Sequence, residues 1–404
     1  MAYLGLLILI ALLFGQDYLL YIYYLKSRII VRWVTNTLKS VNVIAYVVLV
    51  CTSLIHSYII NPKLLALLFS FFAIILSWLV YKQIMFLFLL IRYVNLLLRK
   101  ITKRRCIFCS KLYRITAYLT SFLPVLFLLY GIAFGRWDFK VNKQDLFFDN
   151  LPESFEDYRV VQISDIHAGG FVLNPNKLQR AVCKVNLLKP NLVLFTGDMV
   201  TKTVDEMDGL TSIIASINPL DGKYAVLGNH DYGSYVRWGS IVEREKHQSK
   251  LVNEIKRTGF ILLNDSSVVI KKNSDSIFII GMENWGRPPF PQYGNIDKAI
   301  NGVPDSAFKI LMSHDPDFWI DNVKDKRKIE LTLSGHSHGM QMGIEYKGRQ
   351  YSPASWKYEN WGGLYGENQV LLYVNKGLGY VGLPARIGMP PEITLFVLHK
   401  KVSQ

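Results

Sequence analysis

The chain has eight histidines, and five of them fall in short motifs with carboxylates, an amide or glycines beside them. Asp165-Ile166-His167 comes first, then Gly197-Asp198, then Gly228-Asn229-His230-Asp231. His314 stands by itself, and Gly335-His336-Ser337-His338-Gly339 closes the series. Imidazole, carboxylate and amide carbonyl suit Mn, Fe and Zn rather than thiolate-loving metals. Two cations side by side need a bridging anion, and one Asp can give an oxygen to each. A lone histidine after a strand is usually structural. Five of them in series with Asp165, Asp198 and Asn229 are not explained by core packing. The glycines let the backbone turn sharply where side chains must converge.

Such motifs meet only if the elements carrying them end at one place. Tyr158–Ser164, Leu192–Thr196, Tyr224–Leu227, Ile277–Gly281, Lys309–Ser313 and Ile329–Ser334 read as strands. Each is mostly apolar, as strands buried on both faces are. Lys177–Leu188 and Met207–Ile217 read as helices between them. The alternation predicts a layered α/β domain. Most of the motifs sit at the C-terminal ends of its strands, which converge on one crevice in such folds. No Walker A loop is present.

The first part of the chain is of another kind. Residues 1–140 hold 16 Lys and Arg against two acids, Asp17 and Asp138, so nearly all of the formal charge of +15 lies there. Half of the whole chain is hydrophobic, and its mean hydropathy is +0.20. Four apolar stretches, about Ala2–Tyr24, Val41–Ile60, Leu64–Tyr81 and Ile115–Phe134, approach the ~20 residues that span a bilayer. Cations crowd the connections at 24–40 and 82–114, which puts both on the cytoplasmic side. Four spans then leave the following domain extracytoplasmic. Residues 82–98 either extend the third span or lie along the interface. This charge pattern belongs to membrane-flanking loops and argues against a nucleic-acid-binding face. Asp17 and His56 are ionisable residues near span ends, where snorkelling is cheap. Cys106 and Cys109 make a lone C-x-x-C, a weak metal or redox signal without a second pair. The expected division is a transmembrane region at 1–134, a linker at 135–152 and a catalytic domain at 153–404.

The ordered series D-x-H, G-D, G-N-H-D, H and G-H-x-H resembles the calcineurin-like metallophosphoesterase family. The segments Gly335 to Gln341, Leu372 to Arg386 and Pro390 to Leu395 look like its membrane-anchored bacterial branch, which includes proteins similar to UDP-2,3-diacylglucosamine hydrolases. Met340 departs from that branch, which more often has a second Gly there, and so does Glu283-Asn284, where paired Asp is common. The resemblance implies a four-layer α-β-β-α sandwich behind an all-α region of about four membrane helices. It implies two divalent ions, Mn, Fe or Zn. Asp165, His167 and His338 would bind one, Asn229, His314 and His336 the other, and Asp198 would bridge. His230 would stay off the metals and face the substrate, with Asp231 orienting it. The implied reaction is attack by a metal-bridging hydroxide on a phosphoester or pyrophosphate, with a lipid-linked substrate expected from the tether. Soluble nucleotides or phosphoproteins are the alternative substrates. A non-enzymatic membrane module would be expected to have a broken ligand set, and this set is complete.

Overall fold

A computed structural model describes residues 13–22, 32–55, 58–102, 111–287, 292–367 and 369–401. The chain divides into two compact units, one of Met1–His56 with Leu67–Tyr130, the other of Ser57–Ala66 with Gly131–Gln404.

The first unit is helical. Residues 13–20 are helical, followed by Arg32–Ile55, Pro62–Thr102 and Lys111–Ala133. Among the described residues two candidate spans, not the expected four, are seen. These two helical stretches, Pro62–Arg99 and Lys111–Trp137, are long and apolar enough to cross a membrane. The stretch expected at Val41–Ile60 falls largely in the 24-residue helix Arg32–Ile55, whose segment Lys39–Thr52 is apolar. Part of Ala2–Tyr24 lies outside the described residues, as do His56, Cys106 and Cys109. Residues 82–98 continue the preceding span, because nothing between Leu64 and Leu98 breaks the 41-residue helix Pro62–Thr102.

Asp17 has a structural explanation within this unit. Its Oδ1 lies 2.8 Å from Lys82 Nζ, and its Oδ2 accepts the Tyr46 hydroxyl. Gln83 Nε2 donates to Gln16 Oε1 at 2.9 Å beside them. Each charge cancels the other where water is scarce. Lys82→Met strands the carboxylate and is expected to remove about 3–5 kcal/mol of stability. Titration of the purified chain with a denaturing detergent reads this loss. Adding Asp17→Leu to Lys82→Met should recover most of it.

The second unit is built on two six-stranded sheets. One runs in the order Lys140–Phe148, Glu392–Lys400, Tyr158–Ile163, Leu192–Phe195, Lys223–Ala225, Ile261–Leu262. The other runs Gly363–Glu367, Val370–Val374, Leu331–Ser334, Phe308–Met312, Asp275–Gly281, Ser266–Lys272. Period-two alternation sorts the strand residues by face. Val160, Leu192, Leu194 and Phe396 point between the sheets, where they meet Ile277, Ile279, Ile310 and Leu333. Val161, Ile163, Val193 and Phe195 point outward onto the helices Pro175–Leu187 and Ile241–Arg257. On the far side Leu311, Leu372 and Val374 pack on Phe318 and Trp319 of the helix Asp317–Asn322. The result is α-β-β-α layering.

Two expectations change here. Residues 135–152 are more than a linker, because Lys140–Phe148 forms an edge strand parallel to Glu392–Lys400 over nine residue pairs. Edge strands tolerate charge, so Lys140, Lys143 and Asp145 hide this one from a hydrophobicity reading. The helix expected at Met207–Ile217 is split into a 3-10 turn, Val204–Met207, and a short helix, Thr211–Ala215. Gly209, at φ +74°, separates them.

Candidate metal centre

Every motif follows the C-terminal end of a strand. Asp165 and His167 follow Tyr158–Ile163, Asp198 follows Leu192–Phe195, and Asn229 to Asp231 follow Lys223–Ala225. His314 follows Phe308–Met312 in the second sheet, and His336 and His338 follow Leu331–Ser334. Gln162 Nε2 ties the two sheets at this end by donating to the Ser334 carbonyl at 2.9 Å. Asp165, His167, Asp198, His336 and His338 all have positive φ, between 45° and 70°. Left-handed backbone costs a non-glycine residue roughly 1–2 kcal/mol, and such strain collects at functional sites. Close approach explains two glycines. A Cβ on Gly228 would lie 2.2 Å from Asp198 Oδ1, and one on Gly335 would lie 2.3 Å from Asp165 Oδ2. Met340 has φ +46° and so occupies a conformation that favours glycine.

The side chains converge in two halves. In one, His167 Nε2 and His338 Nε2 are 3.0 Å apart, and Asp165 Oδ1 lies 3.2 Å from His338 Nε2. In the other, Asn229 Oδ1 lies 3.0 Å from His314 Nε2 and 2.9 Å from His336 Nδ1. Asp198 Oδ2 faces both, 3.2 Å from His314 Nε2 and 3.6 Å from His167 Nε2. Carboxylate oxygens and ring nitrogens thus crowd one another at distances that a shared cation would explain. Three groups here could each hold a metal: Asp165, His167 and His338; Asp198, His314 and His336; and His167, Asp198 and His230.

Electrostatics fits that donor set. Burial pushes the His167 ring well below its ordinary value, and burial together with neighbouring His314 pushes His336 down to about 3. Both rings are therefore neutral, as metal ligands must be. Burial opposes ionisation of Asp165 and Asp198, but His338 beside one and His314 beside the other hold both below the usual carboxylate range. Burial likewise opposes a charge on His314, yet the Asp198 carboxylate raises it to about 10. The site draws positive charge to itself, and divalent cations meet that demand.

Contacts behind the ligands aim them. His314 Nδ1 lies 2.8 Å from the Thr196 carbonyl, and His336 Nε2 lies 3.2 Å from the Tyr358 hydroxyl. Tyr235 OH accepts the Asn229 amide Nδ2 at 2.7 Å, which turns Oδ1 toward the histidines. The wholly buried Arg386 donates to the Lys376, Gly377 and Gly379 carbonyls and lies 3.3 Å from His338 Nδ1. His167 Nδ1 is buried with no partner among the described residues. Neither Tyr235 nor Arg386 stands out in the sequence as part of the site. Arg386 lies in a segment that resembles the family, but only the fold shows what it touches.

His230 lies at the rim, its Nδ1 2.6 Å from the Thr201 carbonyl and its ring stacked on Tyr235 at 4.1 Å. Asp231 makes no side-chain contact with that ring, contrary to the expectation that it orients it. Its carboxylate accepts the backbone N–H groups of Asp198 (2.9 Å), Met199 (2.9 Å), Val200 (3.2 Å) and Gly228 (2.9 Å). It thereby fixes the loop that carries Asp198. Asp231→Ala leaves four buried donors without an acceptor and is expected to remove about 3 kcal/mol or more. The check is a lowered Tm of the detergent-solubilised chain, with Asp231→Asn falling less because one carbonyl oxygen remains.

Residues 158–340 match the family model described as calcineurin-like phosphoesterase. The chain carries a calcineurin-like metallophosphoesterase domain. It is similar to an uncharacterized metallophosphoesterase of Bacillus subtilis, YkuE, at 28% identity over 252 residues, 61% of this chain and 81% of that one. It is also similar to the UDP-2,3-diacylglucosamine pyrophosphatase LpxG of Chlamydia trachomatis, 28% identical over 294 residues, 61% of this chain and 86% of that one. A transmembrane protein with metallophosphoesterase domain from Danio rerio is 28% identical over 282 residues, 67% of this chain but 60% of its own length. The likeness therefore extends beyond bacteria. The metallophosphoesterase domain makes this chain a metal-dependent phosphoester hydrolase, and its apolar helices and transmembrane relatives associate it with a membrane.

The aromatic residues after His338 divide. Tyr358 and Trp361 are buried beside the site with Ala354 and Met389, and the Tyr365 hydroxyl braces the backbone at Trp361 and Gly362. Trp356, by contrast, is 87% exposed.

Proposed function

We propose that the metallophosphoesterase domain holds two divalent cations and hydrolyses a phosphoester or pyrophosphate bond of a membrane-lipid substrate. Asp165, His167 and His338 are the ligands of one cation and Asn229, His314 and His336 of the other. The Asp198 carboxylate carries this reading, because one oxygen faces both halves at 3.2 and 3.6 Å. The donor set suits Mn, Fe or Zn. When bound, such ions supply Lewis acidity and an activated water. The chain supplies the rest. Asp165 and Asp198 balance the charge, and Asp231 fixes the Asp198 loop. His230, with Nδ1 tied to Thr201, presents Nε2 for proton transfer to the leaving oxygen.

The lipid part is supported by the two long apolar helices and by the Chlamydia relatives, whose named substrate is a lipid-linked pyrophosphate. The cation-rich connection from Arg99 to Arg114 joins those helices. A cytoplasmic place for it puts the catalytic domain on the opposite side. Cys183 is native and exposed in this domain. With the other cysteines replaced, a membrane-impermeant maleimide should label it in intact cells, and labelling only after lysis would reverse the orientation.

The substrate is tested with the detergent-solubilised full chain and Mn. Turnover of lipid phosphoesters or pyrophosphates should exceed that of soluble monoesters, diesters and nucleotides. Turnover of soluble esters alone removes the lipid part. A chain that binds two cations per molecule yet hydrolyses none of these esters removes the proposed reaction.

A further inference from the structure

One small element of the catalytic domain stands clear of it, with every strand residue exposed. Ile344–Tyr346 and Arg349–Tyr351 form an antiparallel hairpin separate from both six-stranded sheets. Paired residues share a face, and the faces alternate along each strand. Ile344, Tyr346, Arg349 and Tyr351 therefore share one face, and Glu345 and Gln350 share the other. A half-covered antiparallel sheet normally turns its apolar face inward. Here the polar face reaches the domain, where Gln350 Oε1 accepts Lys376 Nζ at 3.1 Å, and Lys376 is itself buried against Glu392. The apolar face stands in the open, with Ile344 66%, Tyr346 59% and Tyr351 51% exposed. Met340 and Met342, just before the hairpin in sequence, and Trp356, just after it, are exposed as well.

The charge on this ridge is one-sided. Between residues 340 and 358 the cations are Lys347, Arg349 and Lys357, and the one acid, Glu345, is on the opposite face of the hairpin. Lys347 Nζ sits 5.3 Å from the centre of the Tyr346 ring. Exposed Trp and Tyr interleaved with Lys and Arg are the composition that settles at the headgroup boundary of anionic bilayers. In water the same ridge is an aggregation hazard. Its base is fixed to the metal centre. Ser352 Oγ donates to the Gly339 carbonyl at 2.6 Å, and Gly343 N donates to the Ile387 carbonyl at 2.9 Å.

We propose that this hairpin, with Trp356, is an interfacial arm that seats on the headgroup and acyl boundary of an anionic bilayer. It places the metal centre where a lipid phosphoester can enter without leaving the membrane. The purpose of the arm rests on the lipid-substrate reading, but its seating on lipid is measured independently of catalysis.

The test uses the full chain with its four native cysteines replaced. Trp356→Cys and Ile344→Cys variants carry an environment-sensitive fluorophore in vesicles of phosphatidylglycerol and phosphatidylcholine. Leu220→Cys is the control, on a loop at the opposite ends of the strands and 79% exposed. Labels at 344 and 356 should emit to the blue of the control and be quenched about two-fold more by spin-labelled lipid. Pure phosphatidylcholine vesicles, or Lys347→Gln with Arg349→Gln, should reduce that quenching. Retention of bound metal shows that the labelled variants are folded. Folded variants whose labels at 344 and 356 behave like the control overturn the arm, whatever the substrate. Quenched labels on a chain that hydrolyses no lipid ester keep the arm and remove the lipid substrate.

Discussion

Asp198→Asn is expected to lower turnover about 10³-fold or more, or about 4 kcal/mol of barrier, and to leave fewer than two cations per chain. The substitution keeps size and shape. It changes one oxygen to an amide nitrogen and removes the negative charge. Asp198 Oδ1 accepts the backbone N–H of His230 at 2.9 Å, a bond the amide carbonyl can keep. Oδ2 is the atom between the halves, near His314 Nε2 and His167 Nε2. An amide N–H₂ placed there offers hydrogens, where two cations need a shared anion. Second, without this carboxylate only Asp165 remains as an anionic ligand in the proposed set. Neutral imidazoles and an amide then face two divalent charges. Metal analysis of the purified variant, beside its turnover, checks both parts. A variant with two bound cations and unchanged turnover would sink the bridging role.

The convergence of the proposed ligands was legible in the sequence because each belongs to a short motif, and each motif follows an apolar run that reads as a strand. What strands bring together from far apart needs no further signal once their C-terminal ends converge. The residues that aim the ligands were not legible. Thr201 and Thr196 act through backbone carbonyls, which carry no residue identity. Tyr235 and Arg386 act through side chains whose partners are fixed only by folding, with Arg386 lying 48 residues from His338 in sequence. Asp231 misled for a related reason. The resemblance implied that it orients His230, whereas its carboxylate accepts four backbone N–H groups. The edge strand Lys140–Phe148 was hidden by its charge. Hydropathy marks apolar length without showing where a helix runs on, so it left two alternatives for 82–98, and the helix Pro62–Thr102 takes the first of them. The hairpin at 344–351 was hidden because its apolar residues face outward, against the rule by which alternation is read.

His230→Ala is expected to retain two cations and to lose about 10²–10⁴-fold in turnover, the range of a general acid or base. Its ring is held from two sides. Nδ1 donates to the Thr201 carbonyl at 2.6 Å, and one face stacks on Tyr235 with planes 18° apart. That leaves Nε2 as the nitrogen free to give or take a proton. His167 meets the ring edge-on at 4.9 Å, so His230 borders the centre. A proton on Nε2 matters most when the leaving oxygen is a poor leaving group. The loss should therefore be largest for alkyl phosphoesters and small for a nitrophenyl ester, whose oxygen departs without protonation. His230 also lies within reach of a cation shared with His167 and Asp198. If it were a ligand, His230→Ala would shed metal and lose turnover equally on both kinds of ester. Metal content and leaving-group dependence together separate a proton donor from a ligand, and loss of a cation from the variant would move His230 into the ligand set.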